Sequence, residues 1–174
     1  MNIFGLDLSL TSTGLSGCDI TSVIHTPKKG PERLDFIATE IINVLSTVDK
    51  PSVVIEGYSF ASRNSQAHSI GELGGVVRVE LWKRNIPYVE VAPTARAKFA
   101  TGKGNASKAE VLSAVSARTG IIWSGSGADD MCDAWILEEM GRTSQGVGRF
   151  EWPQINRTAL DKVDWSILEA CYGR

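Results

Sequence analysis

Two carboxylate side chains of this chain lie where acidic residues are uncommon. Asp7 lies within an apolar run, residues 2–10, and Glu56 directly follows a short β-branched run, residues 52–55. Aspartate is depleted in strands, and a buried carboxylate is costly unless it is paired, hydrogen-bonded or bound to a metal ion. The structural alternatives are a buried aspartate that caps a turn and a salt-bridged glutamate at a strand end.

Two more carboxylates are three residues apart. Asp130 and Asp133 lie in the largely apolar segment 127–137 and are expected on one face of a helix packed against a sheet. Two inward-facing carboxylates repel each other unless a cation lies between them. Asp129 is interpreted as a helix-start charge, at the third position after a predicted N-cap at Ser126.

The chemistry of this set follows from its oxygen ligands. Carboxylates suit hard divalent cations such as Mg²⁺ or Mn²⁺. Two such ions about 4 Å apart can activate a water molecule and stabilise the leaving oxygen in phosphodiester hydrolysis. Each carboxylate alone is weak evidence, but the four together indicate a metal-dependent site.

A lysine-containing segment precedes the predicted helix that carries the aspartate pair. Lys103 lies between two glycines, and Lys108 begins the next predicted helix. The GxxxxGK[ST] spacing is absent, which excludes a nucleotide-binding P-loop there. Cations that flank a flexible loop suit a nucleic-acid backbone, and a solvated loop without a binding role is the alternative.

The net charge of −2 conceals an uneven distribution. Residues 1–77 carry −3, residues 78–108 carry +5, and residues 109–174 carry −4. A basic middle segment is compatible with contacts to a phosphate backbone, although a solvated helix face would give the same pattern. The candidates for such contacts are Arg78, Lys83, Arg84, Arg96, Lys98, Lys103 and Lys108. For Arg78 and Lys83 the alternative is a role in a dimer.

The elements that must position these residues form a mixed α/β pattern. Three short apolar runs, residues 2–10, 14–20 and 21–26, predict an antiparallel meander. Helices and strands then alternate, as the apolar spacing changes between the two periods. The predicted elements are a helix over 31–48, strands over 52–55 and 87–91, and helices over 65–84, 94–100, 107–119 and 127–141.

Bulk properties restrict the class of protein. A chain of 174 residues can bury one sizeable core, which predicts a single domain. Three cysteines without a CxxC pair indicate neither a disulfide framework nor a zinc site. The sequence shows no signal-peptide pattern and no apolar run near the ~18 residues of a membrane span. We therefore expect a cytoplasmic protein without a membrane partner.

The order of these motifs resembles that of the RuvC Holliday-junction resolvases. The matching motifs are Gly5-Leu-Asp7, Val54-Ile-Glu56, Gly71-Glu-Leu-Gly-Gly75, Thr101-Gly-Lys-Gly104 with Lys108, and Asp130-Met-Cys-Asp133. The resemblance covers about residues 2–141, so residues 1–141 are predicted to be the nuclease domain. Residues 142–174 carry none of the matching family motifs and are predicted to be a tail that packs on the same domain. Such a tail is typical of a divergent member and is compatible with a phage origin.

The resemblance implies both a fold and an activity. The expected fold is an RNase H-like mixed β-sheet, an antiparallel three-stranded meander plus parallel strands, flanked by α-helices. The expected activity is symmetric paired nicking of a four-way DNA junction by a homodimer, which leaves 5′-phosphate and 3′-hydroxyl ends. The sequence does not identify a helicase partner.

The resemblance also implies the site. Two Mg²⁺ ions, for which Mn²⁺ would substitute, are expected on the four carboxylates. Lys103 and Lys108 match family lysines that contact the phosphate near the cut and support catalysis.

One position departs from the family pattern. The bacterial enzymes carry an aromatic residue three positions after the strand glutamate that helps to open the junction centre, and this chain has Ser59 there. The flanking Tyr58 and Phe60 can each stack on a base, which is a sequence-tolerant contact. Arg63 and Asn64 are expected to join this loop at the DNA.

Three other functions are each compatible with part of the sequence. A nuclease that trims forks and flaps would use the same site with a broader substrate range. A catalytically silent junction-binding module is disfavoured, because a pure binder would be relieved of the repulsion among four carboxylates. Residues 5–14 also look like the first hairpin of sugar kinases and actin-like ATPases, but those proteins need two such domains and a far longer chain.

Overall fold

The structure is a computed structural model that describes residues 1–57 and 65–172. Its centre is a five-stranded sheet with the strand order β3-β2-β1-β4-β5. The strands are β1 (Asn2–Asp7), β2 (Thr13–Gly17), β3 (Ile20–Ile24), β4 (Pro51–Glu56) and β5 (Tyr88–Val91). The first three pair antiparallel, whereas β1, β4 and β5 are parallel. The predicted meander with added parallel strands is therefore confirmed.

Helices cover both faces of the sheet. They are α1 (Gly30–Leu45), α2 (Ser65–Lys83), α3 (Pro93–Thr101), α4 (Lys108–Thr119), α5 (Ala128–Ser144), α6 (Gln154–Arg157) and α7 (Ser166–Tyr172), with a 3-10 helix at Leu160–Lys162. In α1, Pro31 lies in the first turn, and Ile37, Ile41 and Leu45 recur at four-residue spacing on the buried side. Among the described residues, no helix has both the length and the apolar character needed to cross a bilayer.

Each face of the sheet has its own core. Phe4 and Leu6 of β1 pack with Ile41 of α1 and Leu81 of α2 on one face. The other face packs against α3, α4, α5 and the C-terminal elements, in a cluster that includes Ile3, Val54, Phe99, Ile136 and Leu168. This division follows from the strand period of two, because Ile3 and Phe4 are adjacent in sequence and point to opposite faces.

The helix α5 lies unusually close to the sheet. A Cβ atom placed on Gly5 would be 1.9 Å from the carbonyl oxygen of Ala134, and one on Gly14 would be 2.1 Å from the carbonyl oxygen of Asp130. Only glycine allows the backbone of α5 to approach β1 and β2 to this distance. The two glycines therefore set the position of the helix that carries the aspartate pair.

Two predicted strand ends were wrong. β1 ends at Asp7 rather than at residue 10, because the chain turns at Ser9, whose carbonyl oxygen accepts a 2.6 Å hydrogen bond from the Thr13 hydroxyl. β2 ends at Gly17, before a hairpin turn in which Cys18 and Asp19 have φ of 53° and 62°. A two-residue turn with positive φ at both positions matches the twist of the strands on either side.

Candidate active site

Asp7 and Glu56 lie side by side at the ends of two parallel strands. Leu6 pairs with Ile55, so the next residues of β1 and β4 are neighbours at the carboxyl edge of the sheet. Gly5 and Val54 face α5, and side chains alternate along a strand, so Asp7 and Glu56 also face α5. Parallel pairing of β1 and β4 therefore places these two carboxylates close together.

Asp130 and Asp133 come to the same place from α5. Asp7 pairs with Gly14 across the antiparallel strands, and the carbonyl group of Asp130 lies directly over Gly14. Asp133 is 4% exposed and belongs to the same helix face. The structure thus brings together all four predicted carboxylates, from two strands and one helix.

Arg96 lies among these carboxylates. Its Nε donates a hydrogen bond to Glu56 Oε2, and its Nη1 donates to Asp133 Oδ1. α3 holds it there, because Pro93 begins the helix and Ala95 and Ala97 are buried on either side of the arginine. The Arg96 side chain is 11% exposed, so a nearly buried guanidinium bridges two of the four carboxylates.

The electrostatics of the site show an excess of negative charge. Burial raises the pKa of Asp7 well above its usual value, and the neighbouring carboxylates of Glu56 and Asp133 raise it further, against the opposing effect of Arg96. Burial likewise raises the pKa of Asp133 to about 7, although Arg96 counters it. One guanidinium therefore does not neutralise the cluster, and further positive charge would stabilise its ionised form.

The donor set fits a hard divalent cation. Among the residues that the structure describes, no three His, Cys, Asp or Glu side chains form a group arranged to hold a metal ion as they stand. Glu56 Oε2 and Asp133 Oδ1 each accept a hydrogen bond from Arg96. The four carboxylates nevertheless supply only oxygen ligands and excess negative charge, which is the chemistry that Mg²⁺ and Mn²⁺ prefer.

The two predicted catalytic lysines lie beyond the carboxylates. Lys103 is exposed in the turn after α3, which ends at Gly102 with φ +83°. Lys108 begins α4 and is 68% exposed, and its Nζ lies 2.5 Å from Asp129 Oδ2. The Asp129 hydrogen bond raises the pKa of Lys108, and the partner carboxyl has its pKa lowered by the same bond. Lys108 thus remains charged at neutral pH.

The predicted cap of α5 was wrong. The N-cap is Gly127, with φ +79°, rather than Ser126, and no side chain caps it. A Cβ atom at Gly127 would lie 2.7 Å from Ser12 Oγ, so the helix begins at a tight left-handed turn against the β1–β2 loop. Asp129 is in the first turn, as expected for a helix-start charge, but its partner is Lys108.

The remaining predicted DNA contacts fall into two groups. Tyr58, Phe60, Arg63 and Asn64, with Ser59, lie outside the described residues. Arg84 is exposed near the end of α2 and pairs with Glu80 at 2.5 Å, and Lys98 is half-buried in α3. Neither of the latter two lies in the carboxylate cluster.

Sequence reasoning missed a second buried charge cluster on α5. Glu138 and Glu139 are 1% and 0% exposed, and Arg149 lies near both, with its Nε 2.9 Å from Glu139 Oε2. Ser16 of β2 donates a 2.7 Å hydrogen bond to Glu138 Oε2. The available signal was the position of two glutamates inside the same apolar helix as Asp133.

The sequence of this chain is similar to those of one family of known proteins. The sequence profile of the family described as crossover junction endodeoxyribonuclease RuvC matches residues 4–135. A RuvC of Thermotoga petrophila is 32% identical over 122 residues, which cover 64% of this chain and 74% of the relative. A RuvC of Prochlorococcus marinus is 29% identical over 153 residues, which cover 81% of this chain and 97% of the relative.

Solved structures show the same fold. Thermus thermophilus RuvC in complex with a Holliday junction substrate superimposes with a TM-score of 0.66 at 22% identity, covering 87% of this chain and 99% of that one. The structure of T. thermophilus RuvC gives a TM-score of 0.64 at 23% identity, with 87% and 100% covered. These matches confirm the RNase H-like fold class. With the family profile covering residues 4–135, the chain belongs to the RuvC family of crossover junction endodeoxyribonucleases.

Proposed function

We propose that this protein is a Mg²⁺-dependent endonuclease that resolves four-way DNA junctions by paired nicks, with Asp7, Glu56, Asp130 and Asp133 as the metal ligands. The observation that carries the proposal is the meeting of these four side chains at one edge of the sheet, with more negative charge than Arg96 neutralises. Family membership supplies the reaction class, and the named relatives act on crossover junctions.

The proposed metal ligands come from both the strands and α5. Asp7 would hold cations from the strand side, while Asp130 and Asp133 would do so from α5. Two bound divalent ions supply charge stabilisation at the phosphate and increase the acidity of a water molecule. The rigid packing of α5 on Gly5 and Gly14 fixes the spacing of the ligands, so little reorganisation is needed when the substrate arrives.

Phosphate contacts are proposed for Lys103 and Lys108. Both side chains are exposed and charged, and α4 begins at Lys108 with a capping box between Ser107 and Glu110 that fixes the lysine at the first helical position. Positive charge there would stabilise the charge that develops on the cleaved phosphate. Arg84 and Lys98 would contribute backbone contacts further from the cut.

A homodimer is proposed because each protomer carries one carboxylate cluster and paired nicks need two. The support in the structure is an exposed apolar stripe on α2, where Val79 and Trp82 lie three residues apart on one side of the helix. Val79 is 49% and Trp82 is 76% exposed. Contiguous exposed apolar surface of this kind marks interaction sites.

We also propose that residues 142–174 belong to the nuclease domain. α5 extends to Ser144, so the chain leaves the family-matched region inside a helix. Trp152, Trp165 and Leu168 are buried in the same core as α3 and α5. A DNA substrate also favours the cytoplasmic location expected from the sequence.

The test presents purified protein with labelled four-way junction, fork, flap and duplex DNA, each with Mg²⁺, with Mn²⁺ and with EDTA. Wild type is expected to make paired nicks in the four-way junction only when a divalent ion is present. Asp7→Asn removes a metal ligand without changing its size, so this variant is expected to bind the junction without cutting it. Asp161→Asn, at an exposed site in the 3-10 helix, is the matched control and should cut like wild type.

Each other outcome has a definite meaning. Cutting by Asp7→Asn at the wild-type rate would refute the site assignment. Cleavage of forks and flaps as fast as four-way junctions would establish the broader branched-DNA nuclease instead. Junction binding by wild type without any cut would leave a catalytically silent binding module.

A further inference from the structure

Arg96 occupies the oxygens that a metal ion would need. Its guanidinium donates hydrogen bonds to Glu56 Oε2 and Asp133 Oδ1. These two carboxylates belong to different elements, β4 and α5. A carboxylate oxygen that accepts a hydrogen bond from a guanidinium has less capacity to coordinate a cation at the same time. The arginine and a divalent ion held by these two residues would therefore compete for the same carboxylates.

Charge balance favours the same competition. Without metal, one positive guanidinium is the partner of a cluster of four carboxylates, and replacing it by an uncharged side chain would leave buried negative charges without a counter-ion. With two divalent ions in place, the carboxylates would be neutralised by the metals. Arg96 would then carry a surplus positive charge beside cations, which favours its departure from the cluster.

The position of Arg96 allows such a departure. Its backbone is held in the first turns of α3, where its N–H donates to the carbonyl group of Ala92 at 3.0 Å. The side chain above it is long and has several rotatable bonds, and it is 11% exposed rather than fully enclosed. Lys103 and Lys108 follow on the same stretch of chain, so a guanidinium that turned outward would join the cations proposed to contact phosphate.

We propose that Arg96 is a displaceable internal cation, which bridges Glu56 and Asp133 in the metal-free protein, is expelled when divalent ions bind, and then contacts a phosphate of the DNA. A planar guanidinium fork matches the oxygens of a phosphate, which makes this exchange of partners chemically suitable. The inference rests on the proposed function, because it assumes that the carboxylates bind divalent ions. Arg96 would then compete with divalent ions for the carboxylates of the proposed metal site.

The experiment measures Mn²⁺ binding by calorimetric titration of DNA-free protein, for wild type, Arg96→Gln, Arg96→Lys and Arg157→Gln. Arg96→Gln removes the competitor, so it is expected to bind Mn²⁺ at least about 10-fold more tightly than wild type, which corresponds to about 1.4 kcal/mol. Arg96→Lys keeps a cation there and should stay closer to wild type. Arg157→Gln removes an exposed arginine outside the site and should match wild type.

A second readout is single-turnover cleavage of a four-way junction at saturating Mn²⁺. Arg96→Gln is expected to cut at least about 10-fold more slowly despite its tighter metal binding, because the phosphate contact is missing. Melting curves by circular dichroism verify that each variant is folded. A purely structural arginine would give weaker metal binding on removal, since the carboxylates would lose their alignment.

The outcomes separate this inference from the proposed function. If Arg96→Gln binds Mn²⁺ no more tightly than wild type, Arg96 is not the competitor and the inference is overturned, while cleavage by wild type would still support the function. If metal binding tightens but cleavage is unchanged, the phosphate contact is refuted. If wild type neither binds Mn²⁺ nor cuts, the proposed function itself fails.

Discussion

At the scale of single residues, α5 carries two different kinds of buried charge. The aspartates near its start meet Asp7 and Glu56 and retain excess negative charge, which suits a cation site. The two glutamates in its middle are matched by two arginines, since Arg149 lies 3.2 Å from Glu138 and bonds to Glu139, and Arg142 lies 3.9 Å from Glu138. Unbalanced charge therefore marks the proposed metal cluster, whereas balanced charge ties the C-terminal segment to the helix.

Glu138 gives a pH-dependent prediction. Burial raises the pKa of Glu138 above 4.5, although Arg149 and the Ser16 hydrogen bond oppose the shift. The folded state thus binds this proton more tightly than the unfolded chain, so stability falls as pH rises through the interval above 4.5. Glu138→Gln should remove that loss. Its melting temperature relative to wild type is expected to increase between pH 4 and pH 8, by at least about 2–4 °C if 1 kcal/mol is recovered.

Differential scanning fluorimetry across that pH range checks the prediction. Glu151→Gln, at an exposed position, should show no such pH-dependent difference. A Glu138→Gln difference that shrinks with rising pH would show that the pairing with Arg149 outweighs the cost of burial.

At the scale of elements, the site depends on how closely α5 approaches the sheet. The strands place Asp7 and Glu56 at one edge of the sheet, but a helix that packed at a larger distance would leave its aspartates further away. Gly5 and Gly14 remove the Cβ atoms that would keep the helix at that distance. Two glycines in the strands are thus as necessary to the cluster as the proposed ligands.

Gly14→Ala tests this dependence. Its new methyl group would meet the Asp130 carbonyl oxygen at 2.1 Å, which is backbone and cannot rotate away. We expect a loss of at least about 3 kcal/mol in the free energy of unfolding, at the upper end of the cost of overpacking. Cleavage should fall as well, because a displaced α5 moves Asp130 away from Asp7.

Urea unfolding of Gly14→Ala and Gly75→Ala provides the comparison. A Cβ atom at Gly75 meets nothing within 4 Å, so alanine there is expected to change stability by no more than about 1 kcal/mol. Equal effects of the two substitutions would show that α5 tolerates a shift and that the close approach is not required.

At the scale of the whole molecule, the C-terminal segment completes the core on the α5 face. The Trp152 ring lies 4.4 Å from the Phe99 ring, centroid to centroid, and the indole N–H donates to Glu139 Oε1 at 3.4 Å. Asn156 donates a 2.7 Å hydrogen bond to the carbonyl group of Phe99. These contacts stabilise the position of α3, the helix that holds Arg96 and precedes the turn with Lys103.

Loss of these contacts should lower the free energy of unfolding. Trp152→Ala is expected to lower the free energy of unfolding by about 3–5 kcal/mol, the range for a buried aromatic residue. Ile155→Ala, in the same segment but 57% exposed, should stay within about 0.5 kcal/mol of wild type. Guanidinium unfolding curves measure both, and an equally small effect at Trp152 would mean that the segment is only loosely attached.

The oligomeric state can be tested on the apolar stripe of α2. Val79→Asp places a charge at the centre of the proposed dimer surface and is expected to yield a folded monomer in light scattering after size-exclusion chromatography. Junction cutting by that variant should lose its pairing and give single nicks. Ile122→Asp, at a position 85% exposed elsewhere, is the control. A Val79→Asp variant that stays dimeric would exclude this face of α2.

The sequence alone determined the elements and most of the candidate ligands. An aspartate in an apolar strand, a glutamate at the end of a buried strand and two aspartates three apart on an apolar helix are local patterns, and each could be recognised within a window of about ten residues. Periodicity of apolar residues gave the strands and helices for the same reason. The predicted ends of β1 and β2 were wrong, because each strand is ended by a turn rather than by a loss of hydrophobicity. These turns lie at Ser9 and at Cys18-Asp19.

Only the tertiary structure decided how these pieces meet. Arg96 was predicted as a surface contact for DNA, yet it lies between Glu56 and Asp133, which are 40 and 37 residues away in the sequence. The buried pairing of Arg149 with Glu138 and Glu139, and the packing of Trp152 on Phe99, likewise join distant segments. Such contacts depend on the separation between packed elements, and that separation is set here by two glycine residues under α5. Hydrophobic periodicity describes which side of an element is buried, but not how close its neighbour comes.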